Sequence, residues 1–228
     1  GEQKVARSYV LYREQRSQER SQQQALDPST KQAVQGITVV NADGSTGPLD
    51  IARIQTIVDE ACEGLSDVDA GRIITEAMAN MYDGITASDV ATSVLISART
   101  LVEEEPNYTY VSARLLLDDL RTEALTFFDV HGTGAIHTAT QAQMTQCYPL
   151  ALKSFIEKGI ELELVSPQLA EFDLEQLGAA LLPERDHLFT YLGLQTLYDR
   201  YFIHSDDVRI EFPQEFFMRV AMGLAVAE

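Results

Sequence analysis

Three groups of residues are of a type and spacing that could do chemistry. His131 and His137 flank Gly132-Thr133-Gly134, His204 precedes Asp206 and Asp207, and Cys62 and Cys147 are the only thiols. Two imidazoles six positions apart could ligate a metal, but no ligand set completes the pair, and a plain flexible loop is the better reading. The Gly132-Thr133-Gly134 run lacks the third glycine of a dinucleotide loop and follows a helix rather than a strand. His204, Asp206 and Asp207 are residues that a hairpin turn favours without any metal. Cys62 and Cys147 fall on predicted helices and read as buried, inert thiols, too few for a disulfide framework or a four-thiolate zinc site. No Gly-x-Ser-x-Gly elbow or Walker loop occurs. Most of the abundant Asp and Glu reads as solvated surface. The residues alone therefore give no catalytic constellation, and leave a regulatory or binding module, or part of a larger enzyme.

The elements that would carry these residues are mainly helical. Residues 2–20 have helical spacing at Val5, Tyr9, Val10 and Tyr12, and the Gln-rich run 21–36, broken by Pro28, reads as a linker. Ile37 to Val40 is a β-branched strand ahead of an Asn41-Ala42-Asp43-Gly44 turn. Asp50 can cap a helix to about residue 63, a second helix spans about 69–82, and Thr86 with Asp89 opens a third. Pro106 stops that helix behind three glutamates. Beyond it, the pattern predicts helices over 108–128 and 140–158, two short ones after Ser166-Pro167 and Asp173, and one over 189–201. A hairpin at 203–210 and a final apolar helix from Pro213 follow, the latter with Phe216, Phe217, Val220, Ala221 and Leu224 as its apolar residues. The expected fold class is mainly α: a small β-hairpin-plus-helices module over 37–105, then an α-helical domain over 106–228 with one short β-hairpin. The Gly1 start and the apolar final helix lead to the expectation that the chain is a piece of a longer protein.

Charge narrows the partners. The 228 residues carry a formal net charge of −18, and a 45% hydrophobic composition is enough for a core. Such a balance argues against nucleic acid and against an anionic membrane surface, both of which need Lys and Arg. No stretch approaches the roughly 18 apolar residues of a membrane span, and no signal peptide is evident, so the cytoplasm is the default compartment. Residues 37–105 hold 13 acidic against 3 basic groups (Arg53, Arg72 and Arg99), and no lysine lies between Lys31 and Lys153.

Three stretches resemble the large (alpha) subunit of class I ribonucleotide reductase. ITVVNADGSTGPLDIARI at 37–54 is similar to the opening hairpin and first helix of an ATP-cone, the effector domain of that family. MYDGITASDV at 81–90 and PNYTYVSARLLLDDLR at 106–121 are similar to the end of the cone and its junction with the next helix. YLGLQTLYDRYFI at 191–203 and EFPQEFFMRVAMGLA at 211–225 resemble the helical N-terminal domain, with Pro213-Gln214 and Met218-Arg219-Val220-Ala221 as the most specific strings. VARSYVLYREQR at 5–16 resembles the last helix of another cone. The resemblance thus implies the end of a truncated upstream cone (1–20), a linker (21–36), a second cone (37–105) and the helical N-terminal domain (106–228).

What the resemblance implies for function is a regulatory and structural N-terminal fragment. The parent would reduce ribonucleotides to deoxyribonucleotides, and its radical and redox cysteines would lie outside this chain. The implied partners are the rest of the alpha subunit, a second alpha subunit and a radical-generating small (beta) subunit. A functional cone holds ATP or dATP with a Lys-Arg pair before the hairpin turn, and here that pair falls on Asn41 and Ala42. Further family positions fall on Ala91, Asp119 and Thr122; only Arg53 keeps a positive charge, with Asp50 at a polar position nearby. Losing several charge-assisted phosphate bonds at roughly 1.5–3 kcal/mol each implies a degenerate cone, with Asp50 and Arg53 as the remnant of its site. No cofactor is expected in the fragment, and the ATP or dATP effector is expected in the parent's first cone. A stand-alone ATP/dATP-sensing module is the alternative.

Overall fold

A computed structural model describes residues 36–41, 43–128 and 140–226. The predicted helix over 2–20, the linker up to residue 35, Ala42 and the His131–His137 loop lie outside the described residues. The chain divides into two compact units, at Tyr108 and Thr109.

The first unit begins with strand β1 (Thr38–Val40), which pairs antiparallel with β2 (Thr46–Pro48) and parallel with β3 (Ile85–Thr86). The turn closes through Asn41 N–H to the Ser45 carbonyl at 2.8 Å, with Gly44 at φ +80°, a backbone region that glycine enters without strain. Three helices follow: α1 (Ile51–Cys62), α2 (Ala70–Ala79) and α3 (Ala87–Thr100). Each starts on a side-chain cap, in which Asp50, Asp69 and Thr86 accept from the backbone N–H groups of Arg53, Arg72 and Asp89. Ile54 and Val58 of α1, Ile73, Ile74 and Ala77 of α2, Ile85 of β3 and Val94 and Ala98 of α3 make an apolar core. β3 is absent from the sequence reading, where Thr86 figures only as a cap; two residues are too short to show an alternating pattern. Cys62 is half-buried, so the expectation of burial fails there, while Cys147 is buried as expected.

The second unit is built on α4 (Tyr108–Phe128), α5 (Met144–Glu161), α6 (Leu174–Ala179), α7 (Tyr191–Arg200) and α8 (Pro213–Val226). α4 opens at the last residue of the first unit. Leu117, Leu120, Leu125, Tyr148, Leu152, Phe155 and Phe212 are fully buried here. Tyr148 and Phe212 meet edge to face at 5.5 Å, a favoured aromatic geometry. α6 comes so close to α5 that a Cβ on Gly178 would stand 2.8 Å from the Pro149 backbone, which only glycine permits. The predicted hairpin is present as β4 (His204–Ser205) and β5 (Val208–Arg209), joined by Asp206 and Asp207 at positive φ, as a tight two-residue turn requires. The final helix begins at Pro213 as expected, but its apolar Phe217, Val220 and Leu224 are exposed, and it buries Pro213, Glu215 and Met222.

Candidate functional site

In the first unit, Asp50 and Arg53 meet where β2 passes into α1. The exposed Asp50 carboxylate accepts from the Arg53 backbone N–H at 2.8 Å, so Asp50 serves as a helix cap. Arg53 is half-buried on the first turn of α1. Asn41, before the hairpin turn, donates its amide to the Ser45 hydroxyl at 2.9 Å. Asp43 accepts from Ser45 N–H at 2.8 Å, and these Ser45 hydrogen bonds hold its carboxyl below the usual range. Arg72 on α2 is bound by Glu104 through a bidentate pair at 2.6 and 2.7 Å and by Glu76 at 3.2 Å. Burial opposes the effect, but the Glu104 hydrogen bonds dominate and push the Arg72 guanidinium further into its charged range. The hairpin turn is thus made from short polar groups bonded to one another.

The second unit carries a buried polar cluster whose carboxylates the sequence did not single out. Asp186 and Glu215 are almost or completely buried, and so is Glu211. Tyr148 on α5 donates to Asp186 at 2.6 Å, and Gln214 on α8 donates to its other oxygen at 3.0 Å. Burial pushes Asp186 up to about 6 against these hydrogen bonds. Glu211 accepts from Arg219 at 2.5 and 3.0 Å and from Ile203 N–H at 3.0 Å. Glu215 stands at the third position of α8 and accepts from Phe212 N–H at 2.9 Å, the reach-back half of a capping box. Buried Arg121 donates to Gln141, which donates in turn to the Pro183 carbonyl at 2.7 Å. The available sequence signal was Glu215 three residues after Phe212, behind Pro213 at a helix start.

Among the described residues no group of three or more His, Cys, Asp or Glu is arranged to hold a metal, and no helix is long and apolar enough to cross a membrane. Two family profiles match the chain: the ATP cone domain over residues 37–123 and the all-alpha domain of ribonucleotide reductase over 187–228. Across 227 residues, or 98% of the chain, it is 36% identical to the ribonucleoside-diphosphate reductase subunit alpha of Chlamydia trachomatis, of which it covers 21%. The chain belongs to the ribonucleotide reductase alpha-subunit family. The Helicobacter pylori alpha subunit is 34% identical over 84% of the chain (22% of that relative), and Escherichia coli reductase 1 alpha is 26% identical over 75% (21% of that relative). The chain spans about a fifth of the length of these relatives.

Of the positions that the resemblance implies for effector contacts, Asn41 sits exposed at the end of β1, and Ala91 is half-buried on α3. Asp119 and Thr122 lie on α4, in the second unit. Burial, with Glu123 and Asp118 nearby, pushes Asp119 up to about 6, and Thr122 donates its hydroxyl to the Asp118 carbonyl at 3.1 Å.

Proposed function

We propose that the chain is an N-terminal regulatory and structural part of a ribonucleoside-diphosphate reductase alpha subunit whose cone over 37–105 has lost its nucleotide site. The parent protein reduces ribonucleotides to deoxyribonucleotides in the cytoplasm, with a small beta subunit supplying the radical. Within it, residues 1–20 end a first cone that holds the ATP or dATP effector. Residues 21–36 link it to the degenerate cone, and 106–228 form the helical N-terminal domain. This part of the chain contributes packing, coupling between cone and body, and contacts between alpha subunits.

The observation that supports the lost site is the chemistry around the hairpin turn. A polyphosphate needs several cationic donors at close range, and each charge-assisted bond is worth roughly 1.5–3 kcal/mol. Here the turn offers Asn41, already bonded to Ser45, beside Asp43, and Arg72 is held by Glu104 and Glu76. Arg53 and Asp50 are the remnant of the effector site, now joined through a helix cap. Residues 37–105 hold no lysine to replace what is missing.

Titration calorimetry of the 228-residue chain with dATP and with ATP tests the reading. No binding heat at micromolar protein is expected. Micromolar dATP binding would overturn the lost-site reading and turn the chain into an ATP/dATP-sensing module.

A further inference from the structure

Of the buried carboxyls in the second unit, Asp186 and Glu215 have no ion-pair partner among the described residues, and Glu215 is the less satisfied of the two. Its side chain has no solvent exposure. One oxygen accepts from Phe212 N–H at 2.9 Å, and the other, Oε1, has no hydrogen-bond partner among the described residues. The groups facing it from the surrounding elements are mostly acidic. Tyr148 comes from α5, Asp186 from the turn of helix over Pro183–Leu188, and Glu211 from the residues leading into α8. Among the cations of this unit, Arg219 of α8 is occupied by Glu211, Arg121 of α4 donates to Gln141 and lies 4.0 Å from Asp118, and Arg114 of α4 acts with Arg121 on His187. A carboxylate buried without a counter-charge is costly enough that it takes up a proton instead.

We propose that the start of α8 is a proton-gated latch: Glu215 carries a proton while α8 is seated and releases it when the first turn of α8 lifts into water. The proposal goes beyond the reductase reading and does not depend on it. Burial holds the Glu215 carboxyl well above its ordinary range, and the acidic neighbours Glu211 and Asp186 add to that against the single Phe212 hydrogen bond. The proton is bound in the seated state and lost in the open one. Seating is therefore strongest at and below the ordinary carboxylate range. It weakens by up to about tenfold per pH unit above that range, until the pH reaches the raised value of the seated group. Asp186 and Glu211 are raised as well and act in the same direction. The latch gathers several elements: Gln214 next to Glu215 and Tyr148 of α5 share Asp186, and Arg219 of α8 is tied to Glu211.

The test is amide hydrogen exchange of the 228-residue chain between pH 6 and pH 8, corrected for the intrinsic exchange rate, following peptides from 211–226. Peptides from α2 in the first unit serve as the internal reference. Protection over 211–226 is expected to fall at least about tenfold more than the reference across that interval. In Glu215→Gln, which stays neutral and keeps an acceptor for Phe212 N–H, the pH slope should decrease by one proton. An unchanged slope in Glu215→Gln, or flat protection in the parent chain, overturns the latch. Should Glu215→Gln fail to fold, infrared spectroscopy of the parent chain at pH 7.5 decides. A protonated-carboxyl stretching band that converts to carboxylate as the pH rises supports the latch, and absence of that band overturns it.

Discussion

The two units bury different things. The first closes on Ile54, Val58, Ile73, Ile74, Ile85 and Val94, and its ion pairs, such as Arg72 with Glu104 and Glu76, stand in solvent. The second encloses Arg121, Asp186, Glu211 and Glu215 along with its apolar side chains. Where charge lies outside the core, it shapes the surface field and the choice of ligand. Where it lies inside, each hydrogen bond becomes a condition of folding, because an unpaired buried charge is far more costly than a lost surface contact. The acidic surface of the first unit bears on what the chain can bind, whereas the acidic interior of the second bears on the pH at which it holds together.

The sharpest way to break this contrast is to remove one cation from each unit. Arg219→Met leaves Glu211 fully buried with only Ile203 N–H to satisfy it. A loss of about 3–5 kcal/mol is expected, read from urea unfolding of the 228-residue chain. Changing both partners, with Glu211→Leu added, should recover much of that loss, because an apolar pair of similar volume replaces the ion pair. A loss below about 1 kcal/mol for the single change would put the second unit on the same footing as the first.

A smaller effect comes from pH, and here two adjacent residues oppose each other. Burial, helped by the positive fields of Arg114 and Arg121, lowers His187 to about 4, whereas burial raises Asp186 to about 6. Unfolded His187 would gain a proton near its ordinary value of 6.5, so its contribution is lost as the pH falls from about 6.5 to 4. Asp186 works the other way, taking up a proton in the fold first and adding stability as the pH falls from about 6 to 3.8. Asp119, also raised to about 6, acts in the same direction as Asp186. His187→Asn removes the opposing contribution. Its acid-side gain should be steeper than that of the parent chain, by up to about 1.4 kcal/mol per pH unit between pH 6.5 and 4. Urea unfolding at a series of pH values measures this, and identical slopes would show that His187 is not buried in its neutral form.

This contrast also explains which parts were readable in the sequence. The helix caps Asp50, Thr86 and Asp173 act within three residues of their partners, so local sequence reveals them. α4 matches its predicted bounds, and the 203–210 hairpin follows from its Asp206-Asp207 turn. The cluster in the second unit joins residues far apart in the chain, Tyr148 to Asp186 and Asp186 to Gln214, and nothing local marks those carboxylates as interior. The same long-range packing turned α8 so that Glu215 faces inward and Phe217 outward, against its apolar pattern. Over residues 37–105, by contrast, the scarcity of basic side chains was visible at once, since it is a property of composition. The Asn41–Ser45 bond and the bidentate hold of Glu104 on Arg72 needed three dimensions.

The smallest expected effect completes the comparison from the first unit. Arg72 and Glu104 form a bidentate pair of good geometry, yet their side chains are 43% and 60% exposed, so water and salt screen the attraction and ordering two long side chains offsets much of it. Arg72→Met should cost less than about 1 kcal/mol in urea unfolding, and most of that should vanish at high salt. A loss approaching that of Arg219→Met, or one that persists in high salt, would mean that the Glu104 clamp is as integral to the first unit as the Glu211 pair is to the second. Burial would then not be what separates them.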